Sequence, residues 1–361
     1  MNKLTSIYFD FIRAIAAILV VFHHYSQHII KAFHDGQTVF PPIGQEAVMV
    51  FFVLSGFVIS WVAEVKEQDP TKFFIKRFAR FYSVMVPSVV ILAVAYGLVM
   101  QINPDLYRFQ GDANLFSIKA LLTFSFLNFN SFVYAKLPGG APFWSLTYEF
   151  WYYVIFALIV FLPKRWMAIP AAIAIFAVVG LDALSLWPVW LLGVVTYWAS
   201  KRVTWGTRTA GLLYGLSLVG LVTLSLSGWR YSYLSLDYHF GWDWRYASHA
   251  VYYFLLGLLM SLNFLAFIAW SKHQKVDIAP WLEIPIRHMA GVSFTLYLIH
   301  VPLMLTLYAL LGGYGIHYLL PVLAIAIVVV IGQPIEQSKF AYQKALSAIA
   351  KQLQVFRKAI G

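Results

Sequence analysis

An all-helical, polytopic membrane protein is predicted from three observations. Of 361 residues, 61% are hydrophobic and only 11% charged, where water-soluble globular domains carry about 25% charged residues. Apolar runs close to the ~20 residues that cross a hydrocarbon core recur along the chain. Ionisable residues collect between those runs, with few exceptions inside them. A soluble protein of this length could not cover its surface with so few charges.

The same composition excludes a disordered or fibrous chain. Cysteine is absent, which removes disulfides, thiolate metal sites and a cysteine nucleophile. The formal charge of +11 suits nucleic acid in principle. In a polytopic chain it has a plainer origin, because cytoplasmic loops accumulate Lys and Arg, so no nucleic-acid partner is expected. The first apolar run is expected to stay in the chain. No small-residue cleavage site follows it, and Asp10, Arg13, His23 and His24 interrupt it.

In order, spans are predicted near 7–29, 44–64, 82–101, 144–162, 166–181, 184–200, 209–227, 246–270, 290–311 and 314–333. The run at 166–181 is short, and Asp182 with Pro188 marks a tight reversal after it. The stretch 115–133 is apolar but carries Lys119, Asn128 and Asn130. The positive-inside rule places it outside the count. With ten spans and both termini cytoplasmic, only Lys31, Arg108, Lys119, Lys136, Arg230 and Arg245 face outward and Arg13 lies within. Nineteen of the 26 Lys and Arg then face the cytoplasm. Residues 102–143 therefore read as an outer loop that dips toward the membrane or lies on it. Residues 1–335 form the membrane domain, and 336–361 read as a cytoplasmic amphipathic tail, an interfacial helix resting on membrane lipids.

Ionisable groups inside spans are costly, so each is a candidate site residue. Asp10 and Arg13 are three apart and share a helix face, and Arg13 and His24 are three turns apart on one face. His23 points about 100° away. Glu149, in the run Trp144-Ser145-Leu146-Thr147-Tyr148-Glu149, is expected at the depth of His24. There it either orients the imidazole and supports its imidazolium or pairs with a cation in the bundle. Ser55 and Gly56, within Phe-Phe-Val-Leu-Ser-Gly-Phe at 51–57, mark close helix packing or a slot for a thin ligand. Arg77 and Arg80, with Lys76 beside them, are topogenic charge or a fork for phosphate oxygens. His24, and His300 at the end of Ser293-Phe294-Thr295-Leu296-Tyr297-Leu298-Ile299-His300, are packing histidines or functional ones.

The order of these motifs resembles the membrane-bound acyltransferase-3 family: Arg13 followed by ten residues and His24, the run at 51–57, Arg77-x-x-Arg80, Trp144-Ser-Leu-x-x-Glu149, and Ser293 through His300. The resemblance covers about residues 8 to 305. Ser83 follows Arg80-Phe81-Tyr82 where relatives often carry a nearby proline; here Pro87 comes later. The resemblance implies ten helices in the bacterial inner (plasma) membrane. It also implies an O-acyltransferase, in the simplest case an O-acetyltransferase, moving an acyl group from acyl-coenzyme A to a hydroxyl of a surface polysaccharide or lipid-linked saccharide. Coenzyme A phosphates would meet Lys76, Arg77 and Arg80, and the pantetheine arm would pass Ser55 and Gly56. His24 would act as base with Glu149 as its partner, supported by Arg13 and Asp10. Trp144, Tyr148 and His300 are candidates near the acceptor, and no metal is called for. Direct transfer and an acyl-histidine intermediate both fit the chemistry. The competing reading is a transporter whose Arg13, His24 and Glu149 form an intramembrane relay.

Overall fold

The computed structural model describes residues 1–31, 43–108, 110–231 and 246–360, and within them every regular element is helical. Local chemistry starts the helices. Helix α1, Lys3–Tyr25, begins where the Asn2 side chain accepts from the Thr5 N–H at 2.8 Å, and a π-helical turn, Ser26–Ile30, extends it. Helix α2 spans Gly44–Val65. Helix α3, Pro70–Ile102, starts with the Asp69 carboxylate on the Lys72 N–H and a proline in the first turn.

Next come α4 (Phe116–Phe124), α5 (Phe143–Phe161), α6 (Ala168–Val179), α7 (Leu181–Ser200) and α8 (Thr207–Leu226). The chain closes with α9 (Ala250–Ser271), α10 (Pro280–Leu311), α11 (Leu320–Gln337) and α12 (Lys339–Ile360).

Among the described residues nine helices are long and apolar enough to cross a membrane. The tenth expected span, 166–181, is shorter than predicted. Its helix α6 has 12 residues, about 18 Å, because Gly180, at φ 107°, turns the chain at its end. The contacts still carry it from one end of the bundle to the other. At the lower end, Asn2 donates to the Ser271 carbonyl at 3.1 Å, and Phe161, ending α5, packs its ring 5.5 Å from Phe73, near the start of α3. At the upper end, Ser131 N–H donates to the Val178 carbonyl at 3.1 Å, and Asp182 accepts from the backbones of Tyr246 and Ala247. Among the described residues, nine long helices and the short α6 therefore alternate in direction between the two ends.

The segment preceding α5 is re-entrant, which decides between the two readings of 102–143. Phe126 stacks on Phe150 at 3.9 Å between ring centroids, and Trp151 Nε1 donates to the Phe126 carbonyl at 2.9 Å. Trp151 lies eight residues into α5, about 12 Å from its start. Asn128 reaches the same interior, accepting from Thr147 at 2.7 Å.

Lipid-facing surface follows the sequence pattern. Val90, Val94 and Leu98 on α3, and Leu212, Leu216 and Leu226 on α8, are exposed apolar side chains, as hydrocarbon requires. Inside, polar side chains tie helices together. Tyr8 hydrogen-bonds Asn263, which donates to Ser217 at 3.0 Å.

Candidate active site

The site begins with a helix crossing in which glycines are required. Helices α2 and α7 meet backbone to backbone at Gly56 and Gly193. A Cβ on Gly193 would lie 2.8 Å from the Phe57 amide and closer still to the Val53 carbonyl, and one on Gly56 would run into the Trp190 carbonyl. The small pair at 55–56 is thus divided: Gly56 serves packing, whereas Ser55 faces inward. The close crossing sets the Trp190 indole N–H 3.2 Å from Ser55 Oγ.

Helical periodicity supplies the other walls. Ser145, Glu149 and Tyr153 are successive turns of α5, Ser293 and Tyr297 successive turns of α10, and Arg77 and Arg80 neighbours on α3. All of them, with Arg13 from α1 and Ser55 from α2, line one cavity of about 90 Å³, room for several water molecules. At its waist Glu149 accepts from Tyr153 at 2.6 Å and from Ser55, whose hydroxyl also lies 2.9 Å from Tyr153. Next to it, the Ser145 and Tyr297 hydroxyls are 2.7 Å apart. One turn beyond Tyr297 on α10, His300 Nε2 lies 2.9 Å from His24 Nδ1. The two rings meet with centroids 4.9 Å apart, and His28 stacks on His24 at 5.1 Å.

The predicted residues therefore gather, but with different partners. Glu149 does not pair with His24; it holds Ser55 and Tyr153, and His300 takes the place beside His24. His23 does face elsewhere, its ring occupying the space where a Cβ on Gly44 would fall. Asp10 binds Arg287 at 2.9 Å more closely than Arg13 at 3.9 Å, and so steadies both guanidinium groups. Lys76 and Arg77 both reach Glu67, at 3.2 and 3.1 Å. Arg77 Nε is left buried without a hydrogen bond, and Arg80 makes no ion pair among the described residues; its guanidinium lies 5.9 Å from the Phe294 ring. With Arg13, which lines the same cavity, those groups could hold an anion. Trp144 and Tyr148 do not line the cavity. Trp144 is buried and stacked on Tyr246 at 4.4 Å, an aromatic anchor for the segments above.

Sequence reasoning missed Tyr153, Ser145 and Tyr297, although the first two sit one turn either side of Glu149 and periodicity could have flagged them. It also missed Glu67, Arg287 and Glu336. The Glu336 carboxylate accepts from the Thr295 amide at 3.0 Å and its hydroxyl at 3.2 Å. Nothing in the local sequence announces partners from such distant helices.

A bundle of traversing helices around a cavity of mixed polar and apolar lining, with guanidinium groups at one end and paired imidazoles beyond the other, defines a multi-pass membrane protein with a candidate site inside the bundle. The acyltransferase-domain family matches residues 6–332. That is nearly the whole chain, and the protein belongs to this acyltransferase-3 family, as the five ordered motifs indicated. No curated protein and no solved structure matches it.

Proposed function

We propose that the protein transfers an acyl group, acetyl in the simplest case, from acyl-coenzyme A to a hydroxyl of a glycan or lipid-linked saccharide, with its basic end facing the cytoplasm. One observation carries the reading: a single cavity connects Arg13, Arg77 and Arg80 to Ser145 and Tyr297, one turn short of the His24–His300 pair. An anionic donor and a base are thereby offered from opposite ends.

In this reading the donor's phosphates meet Arg80, Arg13 and the open edge of Arg77, and its pantetheine arm rises past Ser55 and the Glu149 waist. Ser145 and Tyr297 stand where a hydroxyl can donate to the thioester carbonyl and to the oxyanion that develops on it. His24 removes the proton of an acceptor hydroxyl arriving from the far side. The alkoxide adds to the carbonyl carbon, the carbon–sulfur bond breaks, and the proton held on His24 passes to the departing thiolate. Glu149 fixes the Ser55 and Tyr153 hydroxyls and balances the cations below.

The assay follows labelled acyl groups from acyl-coenzyme A onto acceptor with the full chain in detergent or vesicles. His24→Ala should abolish transfer while leaving donor binding intact. Arg80→Ala should weaken donor affinity by one to two powers of ten, because charge-assisted hydrogen bonds contribute about 1.5–3 kcal/mol. Transport of a solute with no label moved to acceptor would overturn the reading, as would parental transfer by His24→Ala.

A further inference from the structure

Two histidines in contact present a tautomer problem that backbone carbonyls solve. His300 Nδ1 lies 3.0 Å from the carbonyl of Leu296, one turn back on α10. A carbonyl oxygen only accepts, so His300 carries its proton on Nδ1 and leaves a lone pair on Nε2. His24 Nδ1 lies 3.1 Å from the Val20 carbonyl and 2.9 Å from His300 Nε2. Both of those atoms are acceptors, so the proton of His24 is also on Nδ1, shared between them. The lone pair of His24 is then on Nε2, which no described group engages.

From this we infer that His300 is a positioning residue for His24: its Nε2 accepts the His24 Nδ1–H, turns the ring and supports the imidazolium formed when His24 Nε2 takes up a proton. The inference rests on His24 being the base proposed above. His300 fills the place that a carboxylate occupies in other acid–base pairs, here as a neutral acceptor. A neutral acceptor suits a site buried within the membrane span, where a second buried anion would be expensive. When His24 is protonated, its bond to His300 becomes charge-assisted and strengthens. That is the moment at which the reaction needs it. The π-helical turn Ser26–Ile30, just beyond His24, stacks the His28 ring on it, a second contact on the imidazole.

The test combines spectroscopy with kinetics on the full chain. Histidine-selective ¹⁵N labelling gives ten side chains to resolve, and His24→Gln identifies the signals of His24. In the parent, His24 should be protonated at Nδ1 with a downfield proton resonance, and unprotonated at Nε2. His300→Leu removes the acceptor: the Nδ1 proton should move upfield and kcat should fall by about 10²-fold, the scale of general-base catalysis, with donor KM unchanged. His300→Gln places an amide oxygen near the same point and should recover part of kcat, which also separates positioning from misfolding. A resting His24 protonated at Nε2 would overturn the inference. So would a His300→Leu protein with parental kcat, or a His300→Gln protein no better than His300→Leu. Parental transfer by His24→Ala would instead sink the base assignment on which the kinetic half depends, while the spectrum judges the tautomers by itself.

Discussion

Replacing Gly193 by Ala tests whether the α2–α7 crossing positions Ser55. The new Cβ would stand 2.8 Å from the Phe57 amide and nearer to the Val53 carbonyl, where unstrained contact begins at about 3.5 Å. Both obstacles are backbone, so no side chain can swing aside, and the helices must part by on the order of 1 Å. Overpacking of that kind costs about 1–3 kcal/mol. The same displacement lengthens the bond from Trp190 to Ser55, already 3.2 Å, past hydrogen-bonding range. Ser55→Ala is the matched control: it deletes the hydroxyl at the waist without touching the crossing. Thermal unfolding in detergent, followed by tryptophan fluorescence, should show Gly193→Ala lowered by several degrees and Ser55→Ala near the parent. The acyl-transfer assay should show both impaired. If Gly193→Ala melts and turns over like the parent, the crossing does not hold the site, and Ser55 takes its place from Glu149 and Tyr153 alone.

Three further expectations concern single groups. Glu67→Ala strands Arg77, whose side chain is 12% exposed against 5% for Glu67. Loss of one partner of a buried pair costs about 3–5 kcal/mol, so the midpoint of denaturant unfolding should drop clearly, and an unchanged midpoint would place the pair in solvent. Glu149→Gln keeps an acceptor for Ser55 and Tyr153 but removes the charge; transfer should slow by about 10²-fold with the fold intact, and a parental rate would leave Glu149 a packing role only. Because cysteine is absent, single cysteines report topology cleanly: one replacing Phe132, 79% exposed at the upper end, and one replacing Lys66 should react with impermeant maleimide from opposite sides of sealed vesicles. Tyr233, a natural position for such a reporter, lies outside the described residues.

Much of the fold was legible because a membrane imposes one rule on every span. Backbone groups without water must pair within the helix, so apolar length alone locates α1, α2, α5, α7 and α8 to within a few residues. The shortfalls have physical causes as well. Helices α3 and α10 begin at Pro70 and Pro280, about ten residues before the apolar runs. Charged residues continue a helix beyond the hydrocarbon, and hydropathy cannot see that. The span 166–181 lost two residues at each end, to the Arg165–Met167 3₁₀ turn and to Gly180.

The cavity was legible in part of its lining and less so in its pairings, and the reason for the pairings lies in α5. Axial rise places residues along one helix well, but comparing depths on two helices requires knowing where each begins. Counting from the outer surface put Glu149 level with His24. In fact α5 starts far below that surface. A Cβ on Gly139 would touch Pro302 at 3.5 Å, and one on Gly140 would touch Leu92 at 3.3 Å. Pro302 is nine residues short of the end of α10 and Leu92 ten short of the end of α3, so the approach to α5 is recessed by about 14 Å. The re-entrant segment around Phe126 and Asn128 makes that recess, filling the outer part of the bundle and lowering Glu149 to Ser55, at the middle of α2. His24 keeps its level, and the histidine that meets it comes from α10. Hydropathy reads 115–133 only as a poor span. Its effect on the site, setting the depth of the helix that follows it, emerges only from the packed structure.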